Sequence, residues 1–151
     1  MPIGEREPAL ARYRIEQCAQ TSCARRRQSY DQRMPNRERV QAFIERIEQL
    51  EFLEVMPEFY AEDATAQENN EPPRVGLAAM MENERNALRR MQFEQARAAS
   101  VVIDGDRVAI NYVFDFIAGG KKQRMDEIAY QLWRGDKIVS ERYFYDPAQR
   151  K

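Results

Sequence analysis

Hydrophobic and polar positions alternate with period two through most of the last third of the chain. Val108, Ile110, Tyr112, Phe114 and Phe116 fall on one side of an extended segment, and Ala109, Asn111, Val113, Asp115 and Ile117 on the other. In residues 124–133, Glu127, Ala129, Gln131 and Trp133 oppose Ile128, Tyr130 and Leu132. In residues 137–145, Val139, Glu141, Tyr143 and Tyr145 oppose Ile138, Ser140, Arg142 and Phe144. Asp104-Gly105-Asp106 and Arg134-Gly135-Asp136 read as tight turns in which glycine takes a positive φ. Residues 100–146 are therefore expected to form long antiparallel strands. Both faces carry apolar groups, so one must meet helices. The other meets something else, most simply a second copy of the same sheet.

Upstream the period changes. Val40, Phe43, Ile44 and Ile47 recur at three and four, behind Asn36 as N-cap and Glu38 in the first turn. A second, shorter helix is suggested by residues 50–60, with a break or kink expected at Pro57. Residues 63–68 read as a short strand, closed by Asn69-Asn70-Glu71-Pro72-Pro73 as a loop. After Gly76 a third helix is expected over residues 77–93, with Leu77, Met80, Met81, Glu84, Leu88 and Met91 near one face. That methionine-rich face is either ordinary core or the adaptable wall of a pocket.

Composition narrows the chemistry. Among 151 residues there is no histidine, and net charge is −1. Without histidine there is no Ser–His or Cys–His nucleophile and no histidine-ligated zinc. Acid–base work falls to carboxylates, tyrosine, lysine or water, and neither a metal nor a cofactor is expected. The near-zero charge gives no field to recruit nucleic acid. No apolar run approaches the roughly 20 residues that span a membrane, and no secretory h-region is seen. Residues 1–34 hold seven arginines against four acids and few strong packers, so residues 1–35 read as a basic, loosely attached tail. Met34, just before a good helix start, is an alternative initiator. Cys18 and Cys23 both lie in this tail and cannot staple the domain, which fits a reducing, cytoplasmic setting.

Two helices, a short strand, a third helix and a long antiparallel meander form a specific order. Phe59-Tyr60-Ala61-Glu62-Asp63-Ala64-Thr65, then Pro72-Pro73-Arg74-Val75-Gly76, and the ending Ile138-Val139-Ser140-Glu141-Arg142-Tyr143-Phe144-Tyr145-Asp146-Pro147 sharpen it. Residues 36–149 resemble the nuclear transport factor 2-like superfamily, and within it the SnoaL-like group. The resemblance implies an α+β, cone-shaped fold, with helices packed on the concave face of a highly curved, mainly antiparallel sheet around a deep pocket. It also implies a homodimer. Its members include isomerases, cyclases, epoxide hydrolases and non-catalytic binding modules, so fold alone does not choose among them.

Family site positions transfer unevenly. The carboxylate base of ketosteroid isomerase-like members falls on Glu68. Their tyrosine donor falls near Ile44 and their protonated acid on Ala129, neither of which can serve. Of the epoxide-hydrolase-like set Arg97 survives, while its aspartates fall near Ala99 and Tyr143. The cyclase-like aspartate also falls near Tyr143. If the Glu127 face points inward, Glu127, Glu141 and Tyr143 join Glu68 as a catalytic set, because acids sharing an apolar cavity raise one another's pKa. Phe59, Tyr60, Met80, Leu88, Tyr112, Phe114, Gln131 and Trp133 are then the candidate ligand-binding residues. The competing reading pairs Glu127 and Glu141 with Arg124, Arg142 or Arg97 as structural salt bridges. Three functions stay open: an acid–base enzyme on an apolar metabolite, a non-catalytic module for a small apolar ligand, and a structural dimer through Ile128, Tyr130, Leu132, Arg142 and Phe144.

Overall fold

The structure is a computed structural model that describes residues 35–150. The basic segment 1–34, with its two cysteines and the alternative start at Met34, lies outside the described residues. Helix α1 (Arg37–Glu48) and helix α2 (Phe52–Phe59) lead directly into strand β1 (Tyr60–Glu68). A two-residue strand β2 (Arg74–Val75) precedes helix α3 (Leu77–Arg90), and four long strands follow: β3 (Met91–Asp104), β4 (Arg107–Ala118), β5 (Lys121–Arg134) and β6 (Lys137–Tyr145). The strands form one open, curved sheet in the order β2-β1-β6-β5-β4-β3, antiparallel except for the β1–β6 pair. The fold is α+β, with the helices packed on the inner face.

Each helix buries the stripe its sequence announces. Val40, Phe43, Ile44 and Ile47 of α1 are buried, and the Asn36 side chain accepts from the Glu38 N–H at 3.0 Å. Leu50 closes α1 with a positive φ of 65°, and the Glu51 N–H reaches back to the Arg46 carbonyl at 3.1 Å. The expected break at Pro57 is absent: α2 runs through it to Phe59. The proline sits near the C-terminus of a short helix and forfeits a single bond. The Lys137 Nζ donates to the neighbouring Glu58 carbonyl at 2.7 Å.

The alternation of β4 and β5 holds along both strands. Val108, Ile110, Tyr112, Phe114 and Phe116 are buried, as are Met125, Glu127, Ala129, Gln131 and Trp133. Three details differ from expectation. Helix α3 ends at Arg90, and Met91 to Phe93 are strand, because β3 pairs along the whole of β4 with Phe93 opposite Phe116. A further turn at Gly119-Gly120, with φ of 56° and 74°, joins β4 to β5. In β6 a register shift lies where Leu132 opposes Ser140 and Trp133 opposes Ile138. That bulge turns Ile138 into the core beside the Glu141 face, whereas strict alternation put it outside. A second irregularity in β3, between Ala98 and Ser100, is capped by α1: the Ala98 N–H donates to Glu48 Oε1 at 2.8 Å.

The outer face carries ion pairs and a small apolar group. Arg124 grips Asp115 with two bonds of 2.7 and 2.9 Å. Ile128 stands opposite Phe144, and Tyr130 opposite Arg142, all on the solvent side of adjacent strands. Among the described residues no helix is long and apolar enough to cross a membrane.

Candidate active site

Between α1, α2, α3 and the inner sheet lies a cavity of about 140 Å³. Its floor is apolar, with Phe43, Met56, Met80, Phe93 and Phe114 among the lining side chains. Its polar part comes from the sheet and from α3, with Arg74 of β2 and Tyr112 of β4 among the lining. Strands β1, β5 and β6 bring Glu68, Glu127, Glu141, Tyr143 and Tyr145, and α3 contributes Asn83 and Glu84.

Glu141 anchors the inner wall and is 2% exposed. Its Oε2 accepts from the Tyr60 hydroxyl and from the Tyr143 hydroxyl at 2.6 Å, while Oε1 accepts from Gln131 Nε2 at 2.7 Å. Gln131 Oε1 in turn accepts from Trp133 Nε1 at 3.0 Å. Burial lifts the Glu141 carboxyl above its ordinary value, and the three donors oppose that lift without cancelling it. Burial, reinforced by the Glu141 charge, holds Tyr60, Tyr143 and Tyr112 well above the usual phenol range, so all three are neutral donors at working pH.

Glu68 stands at the end of β1. One oxygen is 2.9 Å from Arg74 Nη2, and the other accepts from the Tyr145 hydroxyl at 2.6 Å. Glu84 differs from both of these acids. It lies one turn beyond Met80 on the cavity side of α3, and no described residue hydrogen-bonds or ion-pairs with it. Burial raises its carboxyl above the ordinary value, Glu141 and Glu68 raise it further, and Arg74 offsets part of the rise. Tyr112 has the matching vacancy. It is 3% exposed, it lines the same cavity, and its buried hydroxyl has no hydrogen-bond partner among the described residues. A buried hydroxyl without a partner is costly, so such a group marks a place where a ligand or water completes the bonding.

The fold brings together eight of the twelve residues singled out in the sequence: Glu68, Glu127, Glu141, Tyr143, Tyr60, Met80, Tyr112 and Phe114 all line the cavity. Four do not. Phe59 and Trp133 are core, Phe59 beneath the Arg39 guanidinium and Trp133 edge-on to Phe43. Gln131 lies behind the wall as the link between Trp133 and Glu141, and Leu88 is half-buried away from the lining. The salt-bridge reading of Glu141 is corrected: its partners are two phenols and an amide. Arg124 is taken by Asp115, and Arg142 donates to the Asn69 carbonyl and Asn70 Oδ1, each at 3.0 Å. Arg97 is exposed. Sequence reasoning passed over Glu84, Arg74 and Tyr145. For Glu84 the signal was present, a lone acid on an otherwise apolar helical stripe.

The two lifted acids fix the sign of the pH dependence. The folded state holds the Glu84 and Glu141 protons more tightly than the unfolded chain does. The stability they contribute is therefore complete below the unfolded glutamate value of about 4.3 and is lost as pH rises through the raised folded values. Asp115, lowered by its bond to Arg124, has the opposite sign and acts at lower pH in an exposed pair of small worth. The wild-type Tm is expected to fall relative to that of Glu84→Gln as pH rises above about 4.3. A difference that stays flat from about pH 4 to 8 would show that Glu84 is not desolvated.

The chain belongs to the SnoaL-like domain family, whose pattern matches residues 40–141. Solved structures share the fold at low identity. A Mesorhizobium loti protein assigned as a SnoaL-like polyketide cyclase is 21% identical with a TM-score of 0.66, the match covering 72% of this chain and 97% of that one. A Catenulispora acidiphila protein with a ketosteroid isomerase-like fold, in complex with trimethylamine, is 15% identical with a TM-score of 0.64, covering 76% and 89%. An epoxide hydrolase from M. tuberculosis, of the LEH-like type, is 16% identical with a TM-score of 0.62, covering 74% and 83%. No curated protein sequence matches this chain.

Proposed function

We propose that this chain is an acid–base enzyme acting on a small, largely apolar molecule, with Glu84 as base and Tyr112 as donor to a substrate oxygen. The observation that carries the reading is the pairing in one cavity of a half-buried carboxyl with no partner among the described residues and a buried phenol whose hydroxyl has none. Glu68 and Glu141 have both oxygens engaged by named partners, and Glu84 has neither. In the reaction, Glu84 takes a proton from a carbon next to a carbonyl. The C–H bonding pair forms a carbon–carbon double bond, and the carbonyl pair moves to oxygen, where the Tyr112 hydroxyl donates. Return of the proton to another carbon makes an isomerase, and attack of the enolate on a second carbonyl makes a cyclase. The Glu141 network holds the wall rigid behind the reacting atoms. The Catenulispora protein of the same fold is in complex with trimethylamine, a small organic molecule.

The test is hydrogen exchange. A panel of small ketones is incubated with the protein in D₂O, and loss of α-proton signal is followed by NMR. Exchange above the buffer rate, abolished in Glu84→Gln, supports the reading. Ligands that bind without exchanging would make the protein a binding module instead.

We also propose that the outer face of β5 and β6 joins two copies of the chain, with Ile128, Tyr130, Leu132, Arg142 and Phe144 in contact. Ile128 and Phe144 are 46% and 42% exposed and adjacent, which is costly in an isolated monomer. Sedimentation at micromolar concentration is expected to give a dimer mass, and Ile128→Arg a monomer. A concentration-independent monomer mass for the wild type would remove the proposal.

A further inference from the structure

We infer that the molecule taken by this cavity carries two carbonyl-type oxygens, one received by the Tyr112 hydroxyl and a second, uncharged one received by Arg74 Nε. The inference rests on the reading of the cavity as a ketone site and adds the substrate's second functional group. Among the described residues, two buried side-chain polar atoms have no hydrogen-bond partner, Arg74 Nε and the Tyr112 hydroxyl. Both residues line this cavity. A guanidinium keeps its charge at any working pH, so the Nε–H is a permanent donor and never an acceptor. A buried donor left unmet is costly, and more so on a charged group. Each of the two atoms therefore calls for an acceptor from outside the chain.

The fold separates the two donors. Arg74 of β2 stands opposite Ala66 of β1, and Tyr112 of β4 opposite Glu127 of β5. Strands β1, β6 and β5 lie between β2 and β4 in the sheet. The donors approach the cavity from different walls, so a ligand that meets both turns an oxygen toward each. The second oxygen belongs to a ketone, ester or amide. Arg74 Nη2 already lies 2.9 Å from Glu68 Oε1. A carboxylate would compete with Glu68 for that guanidinium, whereas a carbonyl oxygen accepts at Nε and leaves the pair intact. The size sets the scale. A cavity of about 140 Å³ is close to the roughly 150 Å³ that accepts a benzene-sized guest, so both oxygens sit on one short chain or ring.

The experiment compares hexane-2,5-dione with hexan-2-one by chemical-shift titration on the whole chain. The two share chain length and one carbonyl, and differ in the second. The dione is expected to bind at least about tenfold more tightly, the worth of one hydrogen bond to a charged donor. Arg74→Lys puts a methylene where arginine has Nε and keeps a cation for Glu68. It is expected to erase most of the preference and to leave the affinity for hexan-2-one within about twofold, which also checks that the variant is folded. The wild-type comparison decides the second oxygen without any variant. If hexan-2-one binds the wild type as tightly as the dione does, the inference of a second oxygen fails and the ketone reading stands. If neither binds, both fall. A preference that survives intact in Arg74→Lys overturns the assignment of that oxygen to Nε.

Discussion

Glu84→Gln is expected to lower α-proton exchange by at least about a hundredfold, within the 10²–10⁴ range that a positioned general base contributes. The substitution keeps size and shape, removes the basic oxygen pair, and leaves the side chain without a buried charge. The variant should therefore fold at least as well as the wild type, since the charged form of Glu84 is the one that burial disfavours. Stability and activity move in opposite directions, a pattern that damage to the fold would not produce. Tyr112→Phe should show a smaller loss, because it removes a donor and keeps the ring stacked on Phe114. Full activity in Glu84→Gln would shift the base to another acid, with Glu68 next by its position at the end of β1. Glu68→Gln would break the pair with Arg74, so its effect on activity must be read beside its effect on stability.

Glu141→Leu is expected to cost about 3 kcal/mol or more of stability. The change deprives Tyr60, Tyr143 and Gln131 of their acceptor, and each unsatisfied buried donor costs about 1–3 kcal/mol. Replacing the donors as well should restore much of the loss, since removing both sides of a buried polar contact is far cheaper than removing one. The triple variant Tyr60→Phe, Tyr143→Phe, Glu141→Leu is thus expected to be more stable than Glu141→Leu alone. Urea midpoints at constant slope read the difference. A single variant within about 1 kcal/mol of wild type, or a triple variant no better than the single, would show that water satisfies these groups and that the network is not structural.

Much of this architecture was legible because strand alternation and helical stripes are local properties. Val108 through Phe116 gave the inner face of β4 residue by residue, whereas the direction of the Glu127 face stayed open in the sequence and the fold turns it inward. The misreadings come from tertiary demands. Leu77, Met80, Glu84, Leu88 and Met91 keep helical spacing past Arg90, and only pairing of β3 along the full length of β4 makes Met91 extended. Ile138 sits on the wrong parity until the bulge in β6 is seen. The Tyr60–Glu141 contact joins residues 81 apart, so no window of sequence carries it. Arg74 follows two prolines with no pattern to announce that it would engage Glu68. Glu84 was visible as an oddity on an apolar stripe. Its meaning depended on Glu68 and Glu141 being satisfied by other groups, which the sequence does not contain.

The most direct measurement is the titration of the Glu84 carboxyl itself, observed by ¹³C NMR with Glu84→Gln used to assign the signal. A half-buried acid with no partner among the described residues, near Glu141 and Glu68, should titrate above the ordinary glutamate value, and its midpoint should move when a ligand fills the cavity. A midpoint at or below the ordinary value, unchanged by any cavity ligand, would mean that Glu84 is solvated and would contradict the placement of the base there.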